Sequence, residues 1–416
     1  EGPFMPDSAA HTRPPHTAQR RNDYRAITAA VVGAVIGAVA STVVLGLLSA
    51  GAARASEPPP LPVESARVEV LTAPSPHWIL VNDFNGPGTA DSKVYLFDAD
   101  TGRMLGMLST GIWRNVVETA SDLSTIYSPE TYYARGTRGE RVDTVTFYDG
   151  RTLAARGEAV IPPRRASGLP HRSYSGISDD GRFVYVANMT PAYSVSVVDT
   201  AAVAFAGEIE TTGCAMVYPT GNRAFASLCG DGTLQNITID DAGALVARQR
   251  SPRFFDPEQD PVTEKAARIG DVWYFVSFNG MVHAIDVSRP APALARTWSL
   301  FSEAERADDW RVGGIGLVAA HADLRRLFVI VNQDGPHSHK NPGKAVWVYD
   351  IDSGKRVQQI DLLQPAGAIA VSRDAEPLLY ATSMALPAIF VYDARTGQHL
   401  RTIEGPPYTP TFVQVP

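Results

Sequence analysis

One stretch indicates the fold because its pattern recurs along the chain: Val94-Tyr95-Leu96-Phe97-Asp98-Ala99-Asp100-Thr101-Gly102. Four residues that favour strands run into an aspartate, and a tight turn containing glycine follows. The aspartate can accept backbone N–H groups of the turn, and the glycine supplies a positive φ. Nearly the same turn occurs at Asp350–Gly354 and Asp393–Gly397. Each copy therefore predicts two antiparallel strands joined by a tight turn.

Strands of this type, each ending in aspartate, occur seven times. The copies are Val94–Asp98, Val145–Asp149, Val195–Asp199, Ile237–Asp240, Val282–Asp286, Val346–Asp350 and Ile389–Asp393. A further strand precedes most copies, as at Arg326–Val331, so each unit is predicted to be a four-stranded antiparallel meander. A single meander has two apolar faces, and circular stacking covers both of them. We therefore predict an all-β, seven-bladed β-propeller with four-stranded antiparallel blades over residues 77–416.

The two ends of the predicted ring fit together. The first blade begins directly at its second strand, Trp78–Val81, and so lacks a first strand. The C-terminal Phe412–Val415 resembles the first strand of a blade, as Gly367–Val371 does in the preceding unit. We expect the C-terminal strand to complete blade 1, which removes an unpaired edge.

The first 76 residues are expected to lie outside the propeller. Residues 1–25 are basic and predicted to be disordered, residues 26–55 are apolar, and residues 56–76 form a Pro-rich linker. The arginines before the apolar stretch and the sequence Ala53-Arg54-Ala55 after it are typical of a signal peptide. Residues 26–53 are also long enough to span a bilayer, so an uncleaved membrane anchor is the alternative. Both alternatives predict an exported, periplasmic propeller, and the second adds a membrane tether.

Charge and cysteine usage exclude several classes of function. The net charge is −7 without long runs of Lys or Arg, so we expect no nucleic-acid partner. The chain contains two cysteines, which is too few for a C-x-x-C-H haem site, a zinc cluster or an iron–sulfur centre. Cys214 and Cys229 flank a predicted turn, and in an oxidising compartment they are expected to form a disulfide.

The sequence meets no catalytic template. It has no nucleophile elbow, H-E-x-x-H helix, P-loop or dinucleotide-binding glycine pattern after a predicted strand. His337 and His339 have a spacing that metal ligands can use, but their loop of Pro, Asn and Gly favours solvated turn residues. Arg164-Arg165 is likewise interpreted as a solvated pair. We predict no catalytic residue and no metal site on this chain.

Longer segments spread over most blades carry a family resemblance. They are Thr137–Asp143, Cys229–Gly232, Glu303–Gly314, His339–Lys340 and Leu400–Gly405. These segments resemble the heavy subunit of the tryptophan tryptophylquinone amine dehydrogenases, and the aromatic amine branch more closely than the methylamine branch. The resemblance implies a scaffold subunit in a periplasmic assembly of two heavy and two light subunits. It further implies oxidation of a primary amine to an aldehyde and ammonia, with electron transfer to a cupredoxin or a cytochrome c.

The same resemblance implies where the chemistry lies. The heavy subunit is expected to carry no cofactor, because the quinone and the catalytic aspartate of the family belong to the cysteine-rich light subunit. The family's heavy subunit adds an aromatic gate to the substrate channel from a loop of its first blade. In this chain Gly86 occupies the gate position. Either Phe84 replaces the gate, or the substrate entrance is more open.

A loop of charged residues is the expected interface with the light subunit. Its candidate contact residues are Arg306, Trp310, Gly313 and Gly314. Trp310 is either an interface anchor or a cap on a blade. Two other functions are compatible with a propeller: a stand-alone periplasmic protein that binds a ligand or protein without redox chemistry, and a lactonase-type enzyme with carboxylates that bind metal at the axis.

Overall fold

Seven antiparallel sheets follow one another along the chain. The computed structural model describes residues 69–84, 86, 91–113 and 116–416. The predicted basic region, the apolar segment and most of the linker lie outside these residues. The described part is nearly all β structure, which confirms a seven-bladed propeller with four-stranded antiparallel blades.

The strands are numbered in chain order. Blades 1 to 3 contain β1 (Trp78–Asp83), β2 (Lys93–Asp98), β3 (Arg103–Ser109); β4 (Glu118–Thr119), β5 (Thr125–Tyr133), β6 (Arg141–Asp149), β7 (Ala155–Ile161); β8 (Ser175–Ile177), β9 (Phe183–Asn188), β10 (Ser194–Asp199) and β11 (Ala204–Glu210). Blades 4 and 5 contain β12 (Cys214–Gly221), β13 (Ala224–Cys229), β14 (Leu234–Ile239), β15 (Leu245–Arg250); β16 (Val262–Ile269), β17 (Val272–Ser277), β18 (Met281–Asp286) and β19 (Ala293–Ser299). Blades 6 and 7 contain β20 (Arg311–Val312), β21 (Val318–His321), β22 (Arg326–Asn332), β23 (Gly343–Asp350), β24 (Arg356–Ala366); β25 (Ala368–Val371), β26 (Leu378–Ser383), β27 (Leu386–Asp393) and β28 (His399–Glu404). The last strand is β29 (Pro410–Gln414), and two short helices cover Arg172–Tyr174 and Glu303–Ala307.

The repeated aspartate turns form as predicted. At each of the seven copies, the aspartate carboxylate accepts a backbone N–H of the following turn at 2.7–2.9 Å. Gly102, Gly354 and Gly397 have φ of +73°, +72° and +78°, a conformation that glycine adopts without strain. The turns join the third and fourth strands of their blades, so this short signal sets the register of the outer hairpins.

The C-terminal strand closes the ring, as predicted. β29 pairs with β1 in the sheet order β29-β1-β2-β3. The register places Leu80 opposite Gln414 and Val81 opposite Val413. Blade 1 is therefore assembled from both ends of the propeller.

A histidine adds a second link between blade 1 and blade 7. His77 Nδ1 lies 2.8 Å from a carboxylate oxygen of Asp100, and its Nε2 lies 3.2 Å from Asp374. Asp100 is in a turn of blade 1, whereas Asp374 is in a turn of blade 7. Burial lowers the pKa of His77, but the hydrogen bonds and charges of the two carboxylates outweigh burial, so the pKa is raised above 6.5.

The hydrophobic core lies between successive blades. In the cluster between blades 7 and 1, Ile79 and Phe97 pack with Tyr380 and Val391, and all four are at most 2% exposed. Similar clusters lie at other blade junctions. Each sheet therefore buries both of its faces, as circular stacking requires.

The innermost strand of blade 6 is split. β20 and β21 both pair with β22, and the segment between them turns toward blade 7. The Ile315 and Gly316 N–H groups donate to the Gly367 carbonyl at 2.7 and 2.9 Å. The Ile369 N–H donates to the Gly316 carbonyl at 2.9 Å. Backbone hydrogen bonds thus connect blade 6 directly to blade 7.

The interpretation of Arg164-Arg165 as a solvated pair is wrong for Arg165, which is 4% exposed. The guanidinium of Arg165 donates to Thr131 Oγ1 at 2.9 and 3.1 Å, and its backbone N–H donates to Asp143 Oδ2 at 2.9 Å. Burial lowers the pKa of Arg165 to about 10, against the opposing charge of Asp143. Arg164 is exposed and pairs with Glu208 at 3.0 Å. The two arginines differ because the chain after β7 folds over the ends of β5 and β6.

Candidate functional site

The connections between strands form two different faces of the ring. Because neighbouring strands are antiparallel, the first-to-second and third-to-fourth connections of every blade lie on one face, the turn face. The second-to-third connections and the links to the next blade lie on the opposite face, the loop face. The seven aspartate turns belong to the turn face. The loop face carries the longer connections, such as residues 162–171 and 333–342.

Exposed large apolar side chains in the connections gather on the loop face. Val203, 39% exposed, is the single example in the turn-face connections of the described chain. The exposed examples on the loop face range from 41% to 67% exposed and are Trp113, Leu169, Met189, Tyr193, Met384 and Tyr408. The loop face is therefore the more apolar of the two faces in its connections.

The predicted substrate entrance, Phe84 and Gly86, lies on the loop face of blade 1. The Gly86 N–H donates to Thr409 Oγ1 at 3.0 Å, and the Tyr408 N–H donates to Asp83 Oδ2 at 2.8 Å. A Cβ on Gly86 would lie 3.2 Å from Thr409 Cγ2 and 3.3 Å from the Phe84 ring. The blade 1 loop and the last loop-face connection of the chain therefore form one unit, with Tyr408 beside it.

Sequence reasoning missed Tyr408. Its surroundings, Pro406-Pro407-Tyr408-Thr409-Pro410, indicate a loop but do not indicate what the loop contacts. Gly86 and Thr409 are 323 residues apart in the chain. Only closure of the ring brings them together.

Trp310, the candidate interface anchor, is half-buried on the loop face of blade 6. Its ring centroid lies 4.8 Å from that of Trp347, which is 2% exposed. The Arg356 guanidinium lies 3.8 Å from the centroid of Trp347 and pairs with Glu305 at 2.8 Å. Trp310 thus covers a buried ring of its own blade and still presents part of its surface to solvent.

The other candidate interface residues shape the same loop. Arg306 Nη1 donates to the Phe301 carbonyl at 2.7 Å, so its side chain turns back on its own loop. A Cβ on Gly313 would overlap the Asn341 carbonyl oxygen, and Gly314 has φ +106°. Glycine is therefore needed at both positions, where the chain bends between β20 and β21. Contact of these residues with a light subunit stays a prediction.

The six predicted entrance and interface residues share one face but not one site. Phe84 and Gly86 belong to blade 1, whereas the loop around Trp310 belongs to blade 6. Blade 7 lies between the two groups. A partner that contacts both groups must therefore cover blade 7 as well.

The predicted disulfide is confirmed. Cys214 is the first residue of β12 and Cys229 is the last residue of β13, and the two are directly opposite in the register. Their sulfur atoms are bonded at 2.03 Å. The bond joins the first and second strands of blade 4 at their loop-face end.

A cavity of about 1040 Å³ runs along the axis of the ring. The innermost strands line it, together with several turn-face connections. Inside, Arg172 Nη1 pairs with Glu118 Oε1 at 2.6 Å, and Ser175 Oγ donates to the same oxygen at 2.7 Å. Arg268 pairs with Asp179 at 2.6 Å. Sequence reasoning missed these groups because the innermost strands vary in length from two to eight residues and carry no repeated signature.

The histidines of the β22–β23 connection differ from each other. His337 is exposed, whereas His339 is half-buried and stacks on Phe278 with a centroid distance of 3.6 Å. Within the described ranges, no group of three or more His, Cys, Asp or Glu side chains is placed to hold a metal ion. Neither short helix of these ranges has the length and hydropathy needed to cross a membrane.

The fold is a seven-bladed propeller whose loop face carries most of the large apolar side chains exposed in its described connections. The profile of the methylamine dehydrogenase heavy chain family matches residues 78–415. The chain therefore belongs to the methylamine dehydrogenase heavy chain family. This result agrees with the resemblance to amine dehydrogenase heavy subunits.

Curated relatives extend over most of the chain. The heavy chain from Methylophilus methylotrophus is 29% identical over 316 residues, which is 75% of this chain and 77% of the relative. The heavy chain from Methylobacillus flagellatus is 28% identical over 361 residues, which is 85% of this chain and 86% of the relative. Each bears the name methylamine dehydrogenase heavy chain.

Solved structures of low sequence identity share the fold. A dihydro-heme d1 dehydrogenase is 15% identical, with a TM-score of 0.52, and the match covers 86% of this chain and 79% of that chain. The β-propeller domain of Cps50 from Myceliophteria thermophila is 13% identical, with a TM-score of 0.52, over 74% of this chain and 91% of that chain. At this identity the likeness concerns the propeller architecture alone.

Proposed function

We propose that the chain is the heavy subunit of a periplasmic amine dehydrogenase composed of two heavy and two light subunits. The light subunit carries tryptophan tryptophylquinone, and the complex oxidises a primary amine to an aldehyde and ammonia. When bound in the complex, the quinone accepts the electrons of the amine, which then pass to a cupredoxin or a cytochrome c. Family membership over residues 78–415 is the observation that carries this proposal.

The heavy subunit contributes a platform and an entrance. The light subunit docks on the loop face, where exposed apolar side chains would become the core of the interface. Tyr408, 67% exposed, and Trp113, 46% exposed, are the most exposed aromatic side chains there. The turn face, with its aspartate turns, remains in solvent.

The test of this function compares the chain alone with the chain co-expressed with a light subunit and its maturation proteins. The chain alone is expected to fold, to lack quinone absorbance and to give no amine-dependent dye reduction. Activity should appear in the co-purified complex. Dye reduction by the heavy chain alone would overturn the scaffold role. A folded chain that never binds a light subunit would favour a stand-alone propeller without redox chemistry.

We further propose that the substrate is an aromatic amine. The segments Thr137–Asp143 and Glu303–Gly314 support this branch of the family. Glycine at position 86 leaves Phe84 and Tyr408 as the aromatic side chains beside the entrance, and such rings favour contact with an aromatic substrate. Comparison of kcat/KM for phenylethylamine and methylamine tests the proposal. A higher value for methylamine would contradict it.

Export is tested on the mature protein. N-terminal sequencing of the chain from the periplasmic fraction should give a start after Ala55 if residues 26–55 are a signal peptide. A chain that keeps residues 26–53 and sediments with membranes would instead identify an anchor. A chain that stays in the cytoplasm would contradict both alternatives.

A further inference from the structure

Three nitrogen-bearing side chains come from three different blades, and two of them, His171 and Lys265, line the axial cavity. His171 lies just before β8, Lys265 is on β16, and His339 is in the β22–β23 connection. We call these three residues the mouth cluster. Burial lowers the pKa of His171 to about 3 and that of His339 to about 4, and the charge of Lys265 lowers both further. The short helix that follows His171 contacts β16, the strand that carries Lys265.

His171 is 7% exposed and lines the cavity. Its Nδ1 accepts the Ser173 N–H at 3.1 Å, so in the neutral ring the proton resides on Nε2. Nε2 is buried and has no hydrogen-bond partner among the described residues. A buried donor without a partner destabilises the folded chain, so a ligand oxygen that accepts from this N–H group is favoured.

Lys265 is 9% exposed and also lines the cavity. Its contact with a carboxylate is long, at 3.4 Å from Nζ to Glu264 Oε2, and the Glu264 side chain is 41% exposed. Burial lowers the pKa of Lys265 more than the charge and hydrogen bond of Glu264 raise it, and the neighbouring Lys340 lowers it further. The positive charge of the buried Lys265 ammonium group is thus only weakly compensated by its one carboxylate contact.

His339 supplies a third nitrogen with an unmet hydrogen bond. Its Nδ1 is buried and has no partner in the described part of the chain. Phe278, stacked at 3.6 Å, fixes the orientation of the ring. Acidic groups deeper in the cavity do not compensate the cluster, because Glu118 is paired with Arg172 and the remaining acids lie toward the turn face.

We propose that the mouth cluster binds a small oxyanion, a carboxylate or phosphate group, at the loop-face end of the axial cavity. An oxyanion accepts hydrogen bonds from several donors at once and offsets the Lys265 charge. The cavity volume of about 1040 Å³ leaves ample room for such a group. This site is separate from amine oxidation, because the amine substrate is a cation and the quinone belongs to the light subunit.

Calorimetric titration of the full chain with inorganic phosphate, at constant ionic strength in chloride, tests the site. One phosphate is expected to bind per chain. Lys265→Met should weaken the affinity at least tenfold. The control Lys355→Met, an exposed residue on the turn face of blade 6, should leave it unchanged. Equal affinity in the Lys265→Met variant, or no heat at millimolar phosphate, would overturn the proposal.

A second measurement avoids dependence on folding of the variant. In the wild-type chain, the imidazole NMR resonances of His171 and His339 should shift saturably with phosphate or with acetate, and the tighter ligand identifies the source of the oxyanion. Unchanged resonances with both ligands would refute the site. Amine oxidation by the complex is measured separately, so phosphate binding without amine oxidation would refute only the proposed function.

Discussion

Replacement of Phe412 by alanine tests whether β29 holds the ring closed. Phe412 is 4% exposed and packs with Val116 and Ala368 where the innermost strands meet. Truncation of a buried phenylalanine to alanine costs about 3–5 kcal/mol. For a domain of this length, 1 kcal/mol corresponds to about 1–2 °C in Tm, so Phe412→Ala should lower Tm by about 3–10 °C.

The matched control is Tyr408→Ala, because Tyr408 is in the same terminal segment but 67% exposed. Its Tm should change by no more than about 1 °C. Calorimetry at one scan rate measures both variants. A Phe412→Ala protein that melts with the wild type would refute the reasoning.

Deletion of residues 411–416 gives a local readout of the same closure. Val413 and Gln414 are 5% and 7% exposed, and Gln414 Nε2 donates to the Val117 carbonyl at 2.8 Å. The amides of β1 that face β29 should lose protection from hydrogen exchange, whereas those of β22 should keep it. Equal protection of both strands in the shortened chain would show that β29 does not cover β1.

The disulfide, His77, Trp310 and Gly86 can each be tested by substitution. Replacing Cys214 and Cys229 by serine should cost about 3 kcal/mol in urea unfolding, because the disulfide spans 15 residues; no loss would contradict the entropic estimate. The raised pKa of His77 means that its ion pairs stabilise fully below pH 6.5 and that this contribution is lost as pH rises through the folded pKa. His77→Gln should therefore flatten the decline in stability above pH 6.5, and a parallel decline in both proteins would rule this out. Trp310→Ala should lower stability by about 2 kcal/mol, roughly half the cost of losing a fully buried ring, whereas a stable variant that no longer retains the light subunit would identify an interface anchor. Gly86→Leu should reduce kcat/KM for phenylethylamine more than for methylamine, and equal losses would place Gly86 away from the substrate path.

The outer half of each blade could be predicted from the sequence because its signals are local. The aspartate at Asp98 and the glycine at Gly102 act within one turn, so a short stretch of sequence contains the whole interaction. The closing strand could also be predicted, because Phe412–Val415 has strand character and blade 1 lacked a strand. The innermost strands could not be predicted with the same ease, since β4 is only Glu118–Thr119 and is held by its neighbours.

The candidate site depended on contacts that the sequence pattern does not contain. Arg165 is buried because Thr131 and Asp143, on two other strands, supply its hydrogen bonds. The nearness of Lys265 to His171 depends on how blades 3 and 5 are placed around the axis. Charged side chains are usually exposed, so residue type alone predicts that Arg165 and Lys265 lie in solvent.

The separation of the two faces has a consequence for how this chain can change. The aspartate turns, which join the outer two strands of each blade, all lie on the turn face, away from the surface that a partner would cover. The turns that form the hairpins and the apolar side chains exposed in the longer connections thus lie at opposite ends of the same strands. Substitutions at the exposed positions of a loop-face connection can therefore change the surface of the ring without altering the hairpin turns of its outer strands.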